Sequence, residues 1–446
     1  MALPLRVFVL SVAACVLFGG LAAPIQAGVF VSGRSVGGVS IDANGVVSSP
    51  TVDELGKLQQ VLQAGLEEVP SDLDQPSELR FVSLRKLEEE ITRHREQFLP
   101  LPESVQCLAG LQRIQYVLVY PERNDVVLAG PAEGWTADRW GNIVGKTSGR
   151  PVILLDDLMT ALRARRSSAD GGMSCSIDPT PEGVERLQQL VSQLRTVQNP
   201  PQTMELIEQA LGPQIVSVTG VPRTSHFARV MVAADFRMKR IAMNFEPAPV
   251  DDLPSYLNLV KAGRTGLQSQ VPRWWLAPNY EPLHKSPDGL AWEIRGQGVK
   301  CMTEDDHFAA DGTRTHTGKA SAAAQRWADL MTAKFDELAA RDSAFGHLRN
   351  VMDLAVVAAL IEKEHLLHKA SLELPRLLDE ELLEQFDAPQ TVASQATFVQ
   401  KGRNYVISAS GGVQVYPWEI VQQHEESTAV ADVRSQTEPA NAWWWD

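Results

Sequence analysis

The chain has 446 residues, 44% hydrophobic and 22% charged, the balance of a globular protein with a real core. Its 55 acidic residues outnumber 41 Lys and Arg, giving a net charge of −14, and such a surface repels phosphate backbones and argues against nucleic acid as a partner. The four cysteines are too few and too widely spaced for a disulfide-stapled scaffold.

Residues 1–27 have the three-part layout of a secretory signal peptide: Arg6, an apolar run over 7–23, then Pro24 and a cleavage point at Ala27. Cys15 lies inside the apolar run rather than at its end, so cleavage is expected over lipidation. Removal would leave Cys107, Cys175 and Cys301, an odd set with at most one disulfide. The expected address is periplasmic or extracellular, with the membrane met only through the leader.

Alternation over 36–47 around Asn44-Gly45 predicts a hairpin. Helices are expected from Thr51 onward and over 83–98, the second closed by Pro100 and Pro102. Strands are expected over 114–120 and 125–129 about the turn 121–124, and again over 141–146 and 151–155. Asp156 or Asp157 then caps a short helix ending near Arg163, Arg165 and Arg166, basic residues that complement the helix dipole. The Gly/Ser-rich stretch 167–176 is the clearest internal break. A helix over 180–197 follows, then strands over 215–219 and 228–234. From Ser321 the pattern turns helical, with 351–361 a buried apolar helix broken only by Asp353, and another helix over 373–386. Strands over 404–408 and 412–415 suggest a last hairpin, and Gly411-Gly412-Val413 echoes Gly37-Gly38-Val39, as if first and last strands were neighbours. The expected organisation is a signal peptide (1–27), an α+β domain (28–166), a second α+β region (177–320), a helical region with a terminal hairpin (321–421) and a disordered tail (422–446). The fold class is therefore α+β, with a strand-rich mixed N-terminal half and a mainly helical C-terminal half.

Several motifs suggest chemistry. Gly141 to Thr147 and Gly312 to Lys319 miss phosphate-loop spacing by one residue in opposite directions, and no nucleotide is expected. Glu362-Lys-Glu-His365 could place two metal ligands on one helical face, but no second such motif accompanies it, and an exposed helix end is the simpler reading. Asp305, Asp306 and His307, with His316, gather acid/base groups within a short stretch and are the catalytic candidates. Asp156-Asp157 and Asp251-Asp252 read as helix caps. Trp135, Trp140, Trp274 and Trp275 fall in expected loops and strand ends, where an indole can stack on a sugar or peptide. Trp443-Trp444-Trp445 in the tail either docks back on the body or is a handle for a partner. No cofactor motif is present.

The segments 130–158, 174–188, 228–244, 273–280 and 350–366, with stretches such as Arg273-Trp-Trp-Leu-Ala-Pro-Asn-Tyr280, resemble a family of exported planctomycete proteins defined by a domain of unknown function. The resemblance runs from the Asn44-Gly45 hairpin to the end of the apolar helix. It implies an address and carries no catalytic or binding residues. The expected function is that of a non-catalytic envelope or extracellular protein, holding a protein or carbohydrate partner through its tryptophan-bearing loops. The alternative is a hydrolase of envelope polysaccharide or peptide using the carboxylates with His307 or His316.

Overall fold

The computed structural model describes residues 35–50, 57–193, 199–262, 271–308, 314–316, 318–395, 397–401, 403–407, 410–437 and 442–446; the expected signal peptide at 1–27 lies outside them. Three short strands come first, β1 (Ser35–Val36), β2 (Val39–Ile41) and β3 (Val46–Ser48), then α1 (Lys57–Gly65). The expected turn is present: Gly45 has φ +74°, and the Asp42 carboxylate accepts from the N–H groups of Asn44 and Val46 at 2.8 and 2.9 Å. β4 (Ser77–Ser83) runs straight into α2 (Leu84–Glu96), whose first turn is capped by the Ser83 hydroxyl. After α3 (Glu103–Gln106), β5 (Tyr116–Tyr120) and β6 (Asp125–Ala132) form the second expected hairpin, turning at the left-handed Asn124. A small hairpin of β7 (Trp135–Ala137) and β8 (Ile143–Gly145) follows.

The middle of the chain holds α4 (Leu155–Ala164), α5 (Ser168–Gly171), β9 (Met173–Asp178), α6 (Pro181–Gln193), α7 (Pro200–Leu211), β10 (Gln214–Thr219), α8 (His226–Ala242) and α9 (Tyr256–Ala262). Then come β11 (Val271–Asn279), β12 (Leu283–Lys285), β13 (Ala291–Glu293), β14 (Gly298–Phe308) and β15 (Arg314–His316). Four helices follow, α10 (Ala322–Ala333), α11 (Phe335–Arg341), α12 (Ser343–Lys363) and α13 (Leu366–Lys369). The chain continues through β16 (Thr391–Val392), β17 (Thr397–Lys401), β18 (Arg403–Ile407), β19 (Ser410–Val415), α14 (Pro417–Val421), β20 (His424–Glu426), α15 (Thr428–Gln436) and β21 (Trp444–Trp445).

Among the described residues the strands build two large sheets. The first has the order β1-β2-β3-β16-β10-β9-β19-β11-β14-β15 and the second β20-β12-β13-β5-β6-β4-β21. The protein is α+β, with sheet-rich sequence early and helices α10 to α15 late. Both sheets nonetheless recruit strands from distant parts of the chain. β19 inserts between β9, antiparallel to it, and β11, parallel to it. It can do so because Gly411 and Gly412 have no side chain: a Cβ there would collide with the carbonyl oxygens of Trp274 and Cys175. β19 is thus neither a hairpin partner of β18, which pairs with β17, nor a neighbour of β1, correcting both expectations.

α12 is the axis of the molecule. It is long and apolar enough to cross a bilayer, yet every residue from Ala344 to Ile361 is buried against surrounding protein, including α4, α8 and α14. Its single internal carboxylate, Asp353, is fully buried and satisfied: Arg113 donates from Nε and Nη2 at 3.0 and 3.1 Å, and the Tyr280 hydroxyl donates at 2.7 Å.

Three further expectations need correction. Residues 228–234 are helix, not strand, because a short apolar run fits either a buried strand or a buried helix and here the flanking caps decide. Ser225 accepts from Ala228 N–H at the start, and at the end Asn244 takes φ +58° while the N–H groups of Asn244 and Phe245 bond the carbonyls of Ile241 and Arg240. The span 373–386 forms no long helix; Pro375 interrupts it, and the N–H groups of Arg376 and Leu377 are taken by the buried carboxylate of Glu88. The tail is not disordered where described. β20 adds to β12, Val430 of α15 is buried against the outer face of the second sheet, and β21 pairs with β4. A sheet with one face in the core and apolar residues on the other needs that cover. Cys107, Cys175 and Cys301 are unpaired and buried, and burial pushes each thiol above its ordinary value, so none is poised to react.

Candidate functional site

Three helix N-termini converge on one place. α4 begins at Leu155 with Asp156 and Asp157 in its first turn, α8 begins at His226, and His347 is in the second turn of α12. Between them lies a cavity of about 270 Å³ whose walls include Leu155, Met159, Ile143 and Phe386, together with Asp156, His226, His347 and Glu384. Apolar walls with a few convergent polar groups are the usual make-up of a small-molecule site. The sequence separations, 69 between Asp157 and His226 and more to His347, show that only tertiary packing assembles it.

The geometry divides the titratable groups into distinct roles. His226 Nδ1 is 3.0 and 2.9 Å from the two Asp157 oxygens. Burial disfavours its imidazolium, but the Asp157 carboxylate more than offsets this, and His226 is raised above its ordinary value. Asp156 is half-buried, and burial followed by the neighbouring charge of Asp157 pushes it up to about 7. His347, its ring 5.5 Å from that of His226 at 76°, is pushed well below its ordinary value by burial and by His226, and so stays neutral. Its Nε2 is buried and has no hydrogen-bond partner among the described residues. The pocket therefore brings together the hydrogen-bonded Asp157–His226 pair, a carboxyl pushed up to about 7 and a neutral imidazole with one unused nitrogen. Paired groups pushed apart in this way are a recognised mark of acid–base sites.

The rest of the wall is fixed from outside. The Phe386 N–H donates to Thr224 O at 2.9 Å, the Arg229 guanidinium lies 5.0 Å over the Phe386 ring, and Asn142 accepts from Gly37 N–H at 2.8 Å. The one serine on the wall, Ser35, donates to the Trp140 carbonyl at 2.6 Å rather than to an imidazole. Among the described residues no group of three or more His, Cys, Asp or Glu is arranged to hold a metal ion.

None of the residues chosen from sequence as site candidates lines this cavity; Asp156, read from sequence as a helix cap, does. Asp305 is a buried position on β14, opposite Pro272 of β11, and its N–H donates to Lys319 O. Asp306 is the cross-strand partner of His316, and His307 that of Thr315; their side chains lie outside the described residues. Trp135 is 2% exposed and Trp274 0%, the latter packed edge-on to Tyr256 and Trp327, so both belong to the core. Trp275 is half-buried beneath the Arg273 guanidinium. Trp140 alone of the four faces an open cleft, of about 740 Å³, shared with Arg139, Lys146, Arg237 and Asp342. Glu362 accepts from Arg165 Nε and Arg166 Nε at 2.8 and 2.7 Å, while His365 has φ +53° just beyond the end of α12. The helix stops before the Glu-x-x-His spacing can act, so the two side chains do not share a face.

The residues that do line the cavity carry local signals in the sequence. Asp156-Asp157 lies inside the first turn of α4 rather than capping it, since the N-cap is Leu154 and no side chain caps the helix, and the same turn opens onto the cavity. His226 follows the capping Ser225 at the start of a 17-residue helix, but the apolar run behind it reads equally well as a strand, which hides that helix start.

Residues 175–256 match the model of a protein family of unknown function (DUF1598). The matched segment runs from β9 through α8 into α9 and carries His226 and Arg229, but not Asp156, Asp157 or His347. No curated protein and no solved structure matches the chain.

Proposed function

We propose that this chain is an exported protein that binds a small, largely apolar molecule in the cavity at the starts of α4, α8 and α12 and transfers a proton to or from it. The buried Asp157–His226 pair beside Asp156, a carboxyl held at about 7, carries the proposal. A group poised near neutrality is present in useful amounts both as acid and as base. Asp157 orients the His226 ring through Nδ1, leaving Nε2 as the other donor, and His347 Nε2 offers an acceptor. With no wall serine free to attack, the supported class is proton transfer or addition of water, rather than a covalent route. The leader at 1–27 and the acidic surface support export. The carboxylate and imidazole groups of the alternative reading thus reappear on different residues.

The test uses 5-nitrobenzisoxazole, whose ring opens on removal of one proton and which is small enough for the cavity. Purified protein should give a saturable rate above that of acetate at the same pH, rising through pH 7 as Asp156 ionises. The rate should fall at least about tenfold in Asp156→Asn, as removal of a general base does. A rate equal to that of acetate, or one unchanged in Asp156→Asn, overturns the proposal.

One observation favours a second reading, the binding of a carbohydrate segment: Trp140 is half-buried on a wide polar cleft, with Arg139 4.6 Å over its ring. Retention on envelope polysaccharide, lost in Trp140→Ala, would support it; equal retention of both proteins would remove it.

A further inference from the structure

The tail ends on an unusual lock. Trp444 and Trp445 pair antiparallel with Val82 and Phe81 of β4, and the Ser83 N–H donates to Trp443 O at 2.9 Å. Trp444 faces the main core, with the Arg80 guanidinium 5.2 Å from its ring, while Trp445 stacks on Phe81 at 5.4 Å and 10°. Asp446 accepts from Arg80 Nε at 2.7 Å and Nη2 at 3.0 Å, a two-point grip on a guanidinium that is 0% exposed. Arg80 is held from behind as well: it donates to Leu73 O and Ala109 O from Nη1 and to Gln75 O from Nη2.

Those three carbonyl bonds orient the guanidinium without help from the tail, so the receptor half of the contact is pre-organised. Asp446 is the carboxylate paired with Arg80 among the described residues. With the tail absent, the guanidinium would keep two donor directions, Nε and Nη2, aimed along an open strand edge, and an arriving carboxylate would regain both bonds in a fixed geometry. Strand edge, aromatic shelf and carboxylate clamp together are the parts of a β-augmentation site. We infer that the β4 edge with Arg80 is a recognition site for an extended, tryptophan-bearing segment ending in a carboxylate side chain. It is filled in cis by Trp443 to Asp446, and the same segment of a second copy is the partner it fits. An exchanged strand makes the same contacts in trans as in cis, so exchange between copies costs only linker strain and concentration.

The experiment uses the full chain carrying Trp444→Ser, Trp445→Ser and Asp446→Asn, which vacates the site, and a fluorescein-labelled peptide with the sequence of residues 440–446. Fluorescence polarisation should show saturable one-to-one binding with Kd below about 100 μM, a range typical of short added strands. The wild-type chain, its site occupied in cis, should bind the peptide at least tenfold more weakly. A peptide ending in Asn should bind the vacated chain at least tenfold more weakly than the one ending in Asp. Sedimentation of the vacated chain mixed with wild-type chain should show a heterodimer absent from the vacated chain alone. A vacated chain with native circular dichroism that ignores the peptide, or that binds the Asp and Asn peptides alike, overturns the recognition site. Peptide binding without the heterodimer overturns the second copy as partner. If the triple variant does not fold, Trp444→Ser with Asp446→Asn, which weakens the cis tail at both Arg80 contacts while keeping the Trp445–Phe81 stack, replaces it in each measurement, and the same results support or overturn the site.

Discussion

Asp156 and His226 are both raised in the folded protein, so each contribution to stability falls as pH rises, Asp156 over the carboxyl window and His226 over the histidine window. Asp156 is raised in the folded protein to about 7, so the folded state favours its protonated form, and stability falls as pH rises from the ordinary carboxyl range to about 7. Asp156→Asn, isosteric and never charged, should therefore be more stable than wild type at pH 8 by roughly 2–4 kcal/mol, with the advantage vanishing below pH ~4. Urea unfolding at the two pH values checks this; a constant difference would mean that Asp156 is not perturbed. His226 is also raised, by Asp157, and its contribution is fully present below the unfolded histidine value and lost as pH rises through the folded one. His226→Gln should cost about 3 kcal/mol at pH 6, where Asp157 loses its cation, and less at pH 9. A destabilising carboxyl kept in an apolar wall is the stability cost that the proposed site would carry.

Helices α8 and α12 carry the site, and each depends on a few identifiable residues. The Ser225 cap and the Asn244 terminus define α8 and so place His226 at its first position. Ser225→Ala should lower stability by about 1 kcal/mol in urea unfolding and broaden the pH profile of the cavity, because the helix start that aims His226 is loosened. In α12 the buried Asp353 ties the axis to Arg113 and Tyr280. Asp353→Ala leaves Arg113 buried without its carboxylate and should cost about 3–5 kcal/mol; a loss under 1 kcal/mol would mean that water satisfies Arg113 instead. These elements also show what can be read in advance. The α2 cap at Ser83, the Asn44-Gly45 turn and the apolar α12 are legible because their signals are local. α8 is not, because 228–234 is apolar apart from Arg229, and so short a run has no periodicity to distinguish strand from helix. Its Ser and Asn terminators are the better guide.

For the molecule as a unit, the large sheet draws β1 to β3, β9 to β11, β14 to β16 and β19 into one surface, and a single core joins residues from Val36 to Val421. Contacts this far apart in sequence make separate folding of an N-terminal piece unfavourable, since its strands would leave open edges and bare apolar faces. Residues 28–166 expressed alone should give no cooperative thermal transition, whereas the full chain should unfold as one unit by circular dichroism and intrinsic fluorescence alike. A sharp transition in the fragment would restore the segment as an independent domain. The tail belongs to the same unit: α15 and Trp445 cover the outer face of the second sheet, which is why a polar sequence with little local pattern is ordered there.

Composition and local pattern by themselves determined the α+β class, the Asn44-Gly45 turn and the hairpin of β5 and β6, because turns and alternation depend on neighbours within a few residues. Tertiary structure alone decided which chemistry meets which. Asp157 and His226 are 69 positions apart, Arg80 and Asp446 are 366 apart, and neither pair has a spacing that sequence can register. The candidate tryptophans failed for the same reason: whether an indole is a platform or a core filler depends on what packs over it. Trp274 is covered by Tyr256 and Trp327, while Trp140 is left open to a cleft. Burial is a property of the assembled layers, and it is burial that sets Asp156 and Asp157 of the first turn of α4 apart as candidate site residues.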